Sequence, residues 1–150
     1  MAVTTEQIKK LREETQAPVM AIKNALKETG GDEEAAKEIL REKALARAEK
    51  KQDREATDGM VFSYIHLGGK VGVLLDLRCE TDFVARTEDF QKLGRELALQ
   101  IASMDPERVE DLLEQDYIRE PDKKISEVVK EVAGTVGENI KVERFTRYAL

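Results

Sequence analysis

The sequence has no tryptophan, one cysteine, one histidine and three prolines in 150 residues. A lone Cys79 cannot close an internal disulfide, and with His66 as the sole imidazole there is no Cys/His set at the spacing of a structural zinc site. The same scarcity empties the catalytic inventory. A nucleophile needs a base within hydrogen-bond reach, whereas His66 reads as a partly exposed strand residue beside a turn and Cys79 as a small buried hydrophobe. Carboxylate pairs such as Glu80 and Asp82 are expected by coincidence among 31 acids. No stretch approaches the roughly 18 apolar residues of a membrane span, and MAVTTEQIKK has no apolar signal core. Few prolines and 41% hydrophobic residues exclude a disordered or proline-rich chain. The expectation is a folded cytoplasmic protein without metal, cofactor or membrane contact.

What is present in quantity is charge. Twenty-five Lys+Arg against 31 Asp+Glu give a net charge of -6, which repels phosphate backbones and argues against direct nucleic-acid binding. The excess is local: residues 1–56 balance 12 bases with 12 acids, while residues 105–122 carry eight acids and two arginines. That segment reads as a linker or an exposed helix. Lys50 and Lys51 alternate with acids and have no aromatic neighbour, the pattern of a solvated helix face.

Thr4 with Gln7 matches a capping box ahead of Ile8 and Leu11, and Pro18 suits a helix start before Val19, Ile22, Ala25 and Leu26. Gly30-Gly31 stops that helix, and Asp32 caps a third carrying Ala36, Ile39 and Leu40. Residues 44–57 read as a solvated helical connector. Beyond Gly59 the pattern becomes β-branched and aromatic: MVFSYIHL, a Gly68-Gly69 turn and KVGVLLDLRCE predict a hairpin, with Val71, Val73, Leu75, Leu77 and Cys79 on its packed face. Gly68-Gly69-Lys70 lacks phosphate-loop spacing. A long helix follows from Thr87 to Met104, then a short amphipathic helix around Val109, Leu112 and Leu113. Asp122 is expected to cap a helix carrying Ile125, Val129 and Ala133, and NIKVERFTRYAL alternates as a last strand. The fold class is α+β: a three-helix module over residues 1–55, then a three-stranded antiparallel sheet with packed helices over residues 56–150.

Between the second strand and the long helix lies Arg78-Cys-Glu-Thr-Asp-Phe-Val-Ala-Arg86. Either Phe83-Val84 closes over the core, or the aromatic stands exposed on a rigid loop as a preorganised anchor for a partner, with Asp82 beside it to compete for a polar or metal-linked contact.

At this loop the sequence resembles the elongation factor Ts family, guanine-nucleotide exchange factors of elongation factor Tu. CETDFVAR from Cys79 to Arg86 is similar to the family's core signature, GENIKVERFTRY from Gly137 to its final strand, and LREETQAPVMAIKNALKETGGDEEAAKEILREK to its N-terminal module. The resemblance implies a ubiquitin-associated-like module and a homodimer formed through the core sheet, for which Phe145, Tyr148 and the hairpin aromatics supply the apolar strand surface of a self-complementary interface. It also implies that Thr81, Asp82, Phe83 and Val84 enter the nucleotide-binding domain of elongation factor Tu and displace magnesium from GDP, and that Arg12, Val19 and Met20 touch the same domain. The run Thr15-Gln-Ala-Pro-Val-Met-Ala21 departs from the family's Thr-Gly-Ala-Gly-Met-Met-Asp, and Glu143 stands where a basic residue is usual. An exchange factor needs no catalytic acid or base. The alternative is a non-catalytic helical peptide-binding module joined to a dimerising α+β domain.

Overall fold

A computed structural model describes residues 2–150. Helix α1 (Thr5–Thr15) begins at the capping box, in which Thr4 Oγ1 accepts from the Gln7 amide and Gln7 Oε1 accepts from the Thr4 amide. Helix α2 (Val19–Glu28) follows Pro18, which occupies the capping position and leaves no amide to satisfy. Helix α3 (Glu33–Lys51) is capped by Asp32. Leu11, Ala17, Ile22, Ala25, Leu26, Ala36 and Leu40 close a small apolar core between these helices.

The hairpin is β1 (Asp58–His66) and β2 (Val71–Cys79), paired antiparallel with Phe62 opposite Leu75. Four helices intervene or follow: the single turn α4 (Asp82–Ala85), the long α5 (Glu88–Met104), α6 (Val109–Glu114) and α7 (Ile125–Val136). A two-stranded ribbon, β3 (Asp116–Tyr117) and β4 (Glu120–Lys124), lies between α6 and α7. The last strand, β5 (Lys141–Ala149), joins the other side of β2, giving the antiparallel order β1-β2-β5. The alternation expected for β2 holds: Val71, Val73, Leu75, Leu77 and Cys79 are all buried beneath the helix layer with Phe90, Leu97 and Ile101 of α5.

Five expectations are corrected. Residues 44–57 are no solvated connector: α3 continues to Lys51, and Ala44 and Ala48 are buried where it packs on α7. A Cβ at Gly134 would lie 1.8 Å from the Ala44 carbonyl oxygen, so the backbones touch and only glycine fits. Nor is Lys51 ordinary surface. It donates to the Gly137 carbonyl at 2.7 Å, and Arg47 donates to that of Gly134 at 2.9 Å, supplying partners to the open C-terminal end of α7. Arg41 of the same helix pairs with Glu127 and Glu131.

The acidic segment 105–122 is neither linker nor freely exposed helix. Leu112 and Tyr117 are buried, and the buried amide of Gln100 on α5 holds the ribbon, donating to Gln115 Oε1 and the Asp116 carbonyl and accepting from the Ile118 amide. Asp122 lies within β4 and does not cap α7. That helix starts after Lys124, whose amide donates to Glu127 Oε1 at 3.2 Å. Finally, Phe62 is buried and Tyr64 and Phe145 pack against the same core, so Tyr148 is the one aromatic of that expected set on the outer face of the sheet.

Candidate functional site

The segment after β2 becomes a single capped helical turn, not a loop. Thr81 is extended (φ -132°, ψ 152°), and its hydroxyl accepts from the Val84 amide at 3.3 Å. Thr87 then caps α5 by accepting from the Phe90 amide, and also donates to the Val84 carbonyl at 2.7 Å. Two threonine caps six residues apart fix a corner. At that corner adjacent side chains diverge: Val84 is 4% exposed and sits in the core, while Phe83 is 75% exposed. The two possibilities left by the sequence divide between neighbours, Val84 closing the core and Phe83 standing free. Asp82 is exposed and pairs with Arg86 at 3.1 Å one turn on.

Exposing a phenyl ring to water is unfavourable by about 25 cal/mol per Å² of apolar surface, so the turn needs other anchors. Glu138, in the loop between α7 and β5, supplies them. Its carboxylate accepts from the Glu80 amide at 3.1 Å, the Thr81 amide at 2.9 Å and the Thr81 hydroxyl at 2.7 Å. The Glu80 carboxylate in turn accepts from the Asn139 amide at 2.6 Å, and the Asn139 side chain donates to the carbonyls of Gln52 and Arg54. The end of α3, the α7–β5 loop and the aromatic turn are therefore one hydrogen-bonded unit. Sequence reasoning missed Glu138, although the Gly137 stop before it marks where the chain reverses.

Cys79 lies directly beneath. Burial, reinforced by the negative charge of Glu138, pushes its thiol up to about 11, and Sγ donates to the Thr81 carbonyl at 3.1 Å. It is a structural thiol, unsuited to nucleophilic attack. His66 is half-buried with Nδ1 2.7 Å from the Tyr64 hydroxyl, away from Cys79 at the opposite end of the hairpin. Among the described residues no group of His, Cys, Asp and Glu is arranged to hold a metal, and no helix is long and apolar enough to cross a membrane.

The second candidate set lies where α1 turns into α2. Val19 and Met20 are 49% and 64% exposed on the first turn of α2, and Arg12 donates to the Ala17 carbonyl at 2.7 Å, bracing the corner. This corner faces the start of α5 across a crevice lined by Thr15, Gln16, Ala17, Asp89 and Lys92. Burial raises the pKa of Asp89 there, with Lys92 and Arg12 opposing. Arg12, Val19 and Met20 make no hydrogen bond to Thr81–Val84.

Comparison with known proteins adds the lineage. The family model for elongation factor Ts matches residues 80–150, from the aromatic turn to the last strand. Elongation factor Ts of Coprothermobacter proteolyticus is 43% identical, covering 100% of this chain and 99% of its own length. Those of Thermodesulfovibrio yellowstonii and Thermotoga petrophila are each 39% identical, covering 99% and 100% of this chain and 96% and 97% of theirs. These alignments run over 192 to 195 positions, more than the 150 residues here, so the relatives carry residues without a counterpart in this chain. The similarity extends across both the three-helix module and the sheet, and on that coverage the chain belongs to the elongation factor Ts family and is a translation elongation factor.

Proposed function

We propose that this chain is a guanine-nucleotide exchange factor that binds elongation factor Tu with GDP and speeds release of the nucleotide in the cytoplasm. The observation that carries the reading is Phe83: an exposed aromatic on a capped turn whose neighbour Val84 is locked in the core. A rigid anchor of this kind binds without first being ordered, which is the condition for a binding hot spot. In this reading residues 56–150 carry the exchange element and residues 1–55 add a second contact through Arg12, Val19 and Met20. Chemistry is not required, so the chain acts without being an enzyme and holds no cofactor. Exchange follows when the nucleotide-free partner is bound more tightly than the GDP-bound one. By linkage, whatever factor weakens GDP is the factor by which GDP weakens the complex. Phe83 and Asp82 supply that difference by entering the magnesium-phosphate site, where loss of the cation leaves the diphosphate charge unneutralised.

Replacing Phe83 with alanine removes the anchor while leaving the caps at Thr81 and Thr87, and should cost about 2 kcal/mol of coupling, as for a buried aromatic hot spot. Release of a fluorescent GDP from elongation factor Tu measures it. A wild-type rate in Phe83→Ala removes Phe83 from the mechanism. A stable complex with no faster release, even in the unaltered chain, favours instead a helical peptide-binding module on a dimerising domain.

We further propose a homodimer through the outer face of the sheet, where Val61, Ile65, Leu74 and Tyr148 are exposed side by side on three strands.

A further inference from the structure

Resting on the exchange-factor reading, we infer that Glu138 is a positioning residue for exchange, holding the Phe83 turn at the angle from which the ring can act. Glu138 itself lies outside the turn. Its two carboxylate oxygens divide the work: Oε1 takes the amides of Glu80 and Thr81, and Oε2 takes the Thr81 hydroxyl. That hydroxyl is committed twice, donating to Glu138 while accepting from the Val84 amide, so the carboxylate fixes the rotamer of the cap as well as the path of the chain. Without it, the two amides leaving β2 lose their acceptor and the cap can rotate away. Only one helical turn separates the cap from α5, too little for helix propagation to hold the turn unaided.

The position of the carboxylate is in turn set from two sides. Gly137 adopts φ 79°, the left-handed cap conformation that ends α7, and Lys51 of α3 holds its carbonyl. Asn139 ties the next residue to Gln52 and Arg54 at the end of α3 and to Glu80. Glu138 is thus fixed between α3 and α7, and the Phe83 turn inherits its orientation from that junction.

The test uses the full chain with elongation factor Tu carrying fluorescent GDP, comparing Glu138→Ala, Glu138→Gln, Phe83→Ala and the Phe83/Glu138 double alanine variant. Glu138→Ala is expected to lower the maximal release rate about tenfold, because misplacing a positioned group by a fraction of an ångström is costly. Glu138→Gln, which keeps one acceptor oxygen for the two amides, should recover part of the rate. In the Phe83→Ala background Glu138→Ala should cost much less than it does alone, since most of its effect passes through the ring. Amide hydrogen exchange in the free chain reads the latch without any partner: Glu80 and Thr81 should lose protection in Glu138→Ala while the core strands keep theirs. Losses that multiply in the double variant, or a wild-type rate in Glu138→Ala, overturn the positioning role. Retained protection at Glu80 and Thr81 overturns the latch even if exchange is real. An unaltered chain that fails to speed GDP release overturns the underlying reading and leaves Glu138 with no exchange to position.

Discussion

Cys79 shows how far the surroundings of one side chain decide its chemistry. It closes the inner face of β2, fully buried, with its proton directed at the Thr81 carbonyl. The thiol is held from an ordinary value of 9.0 up to about 11. Between those values the unfolded chain gives up its proton and the folded chain keeps it, so stability must fall as pH rises through the window. Tyr117, pushed up to about 12 by burial and the nearby Glu96, continues the decline at higher pH. Thermal midpoints measured across this range should drop steadily, and Cys79→Ala should flatten the part that begins near the free-thiol value. The same shift cuts the native thiolate fraction about 100-fold at neutral pH, so alkylation should be slow until denaturant is added. Rapid native labelling would show that the end of β2 opens readily, loosening the support of the Phe83 turn.

Helix α3 is the element on which the two apolar cores meet, since Leu40 belongs to one and Ala48 to the other. Its seam with α7 is made of small residues, Ala44 against Gly134 with Ala48 buried one turn further along α3, and with Arg41, Arg47 and Lys51 bonded along the edge. Gly134→Ala would force a methyl group into the Ala44 carbonyl, and overpacking of this kind costs about 1–3 kcal/mol. A lower urea midpoint is expected, and an unchanged one would mean that the helices are not seated there. This seam also explains what the sequence could and could not disclose. The β1–β2 hairpin was legible because alternation and a Gly-Gly turn are local signals, and so were the caps at Thr4 and Asp32. The docking of α3 was not, because periodicity registers large apolar side chains and this contact is made by alanines and a missing Cβ. Asp122 misled for a related reason: a local capping signal competed with the β3–β4 ribbon, which Gln100 holds from a distant helix. At the aromatic turn the motif located Phe83, but Glu138 lies 57 residues from Thr81 and only the folded chain brings them together.

Across the whole molecule, the net charge of -6 and the apolar sheet face lie on different surfaces. Six of the eight acids of residues 105–122 ride on α6 and the β3–β4 ribbon, which pack on α7, α5 and β5, on the helix side of the sheet. On the outer face the one exposed-side carboxylate of β2, Asp76, is neutralised by Arg78 and Arg144, whose hydrogen bonds hold its pKa down against burial. A two-fold dimer presses the same patch against its own copy, so any uncompensated charge there would meet itself. This face offers Val61, Ile65, Leu74 and Tyr148 beside that cluster, whose two arginines outnumber its one carboxylate, so the face carries none of the acidic excess that would oppose self-association. Light scattering should therefore give a mass near twice 17.0 kDa at micromolar concentration. Leu74→Glu places two like charges across the symmetry axis and should yield the monomer, with far-ultraviolet circular dichroism unchanged because the side chain already faces water. A wild-type mass of 17.0 kDa throughout a concentration series, or a Leu74→Glu protein that remains dimeric, would move the interface off this sheet.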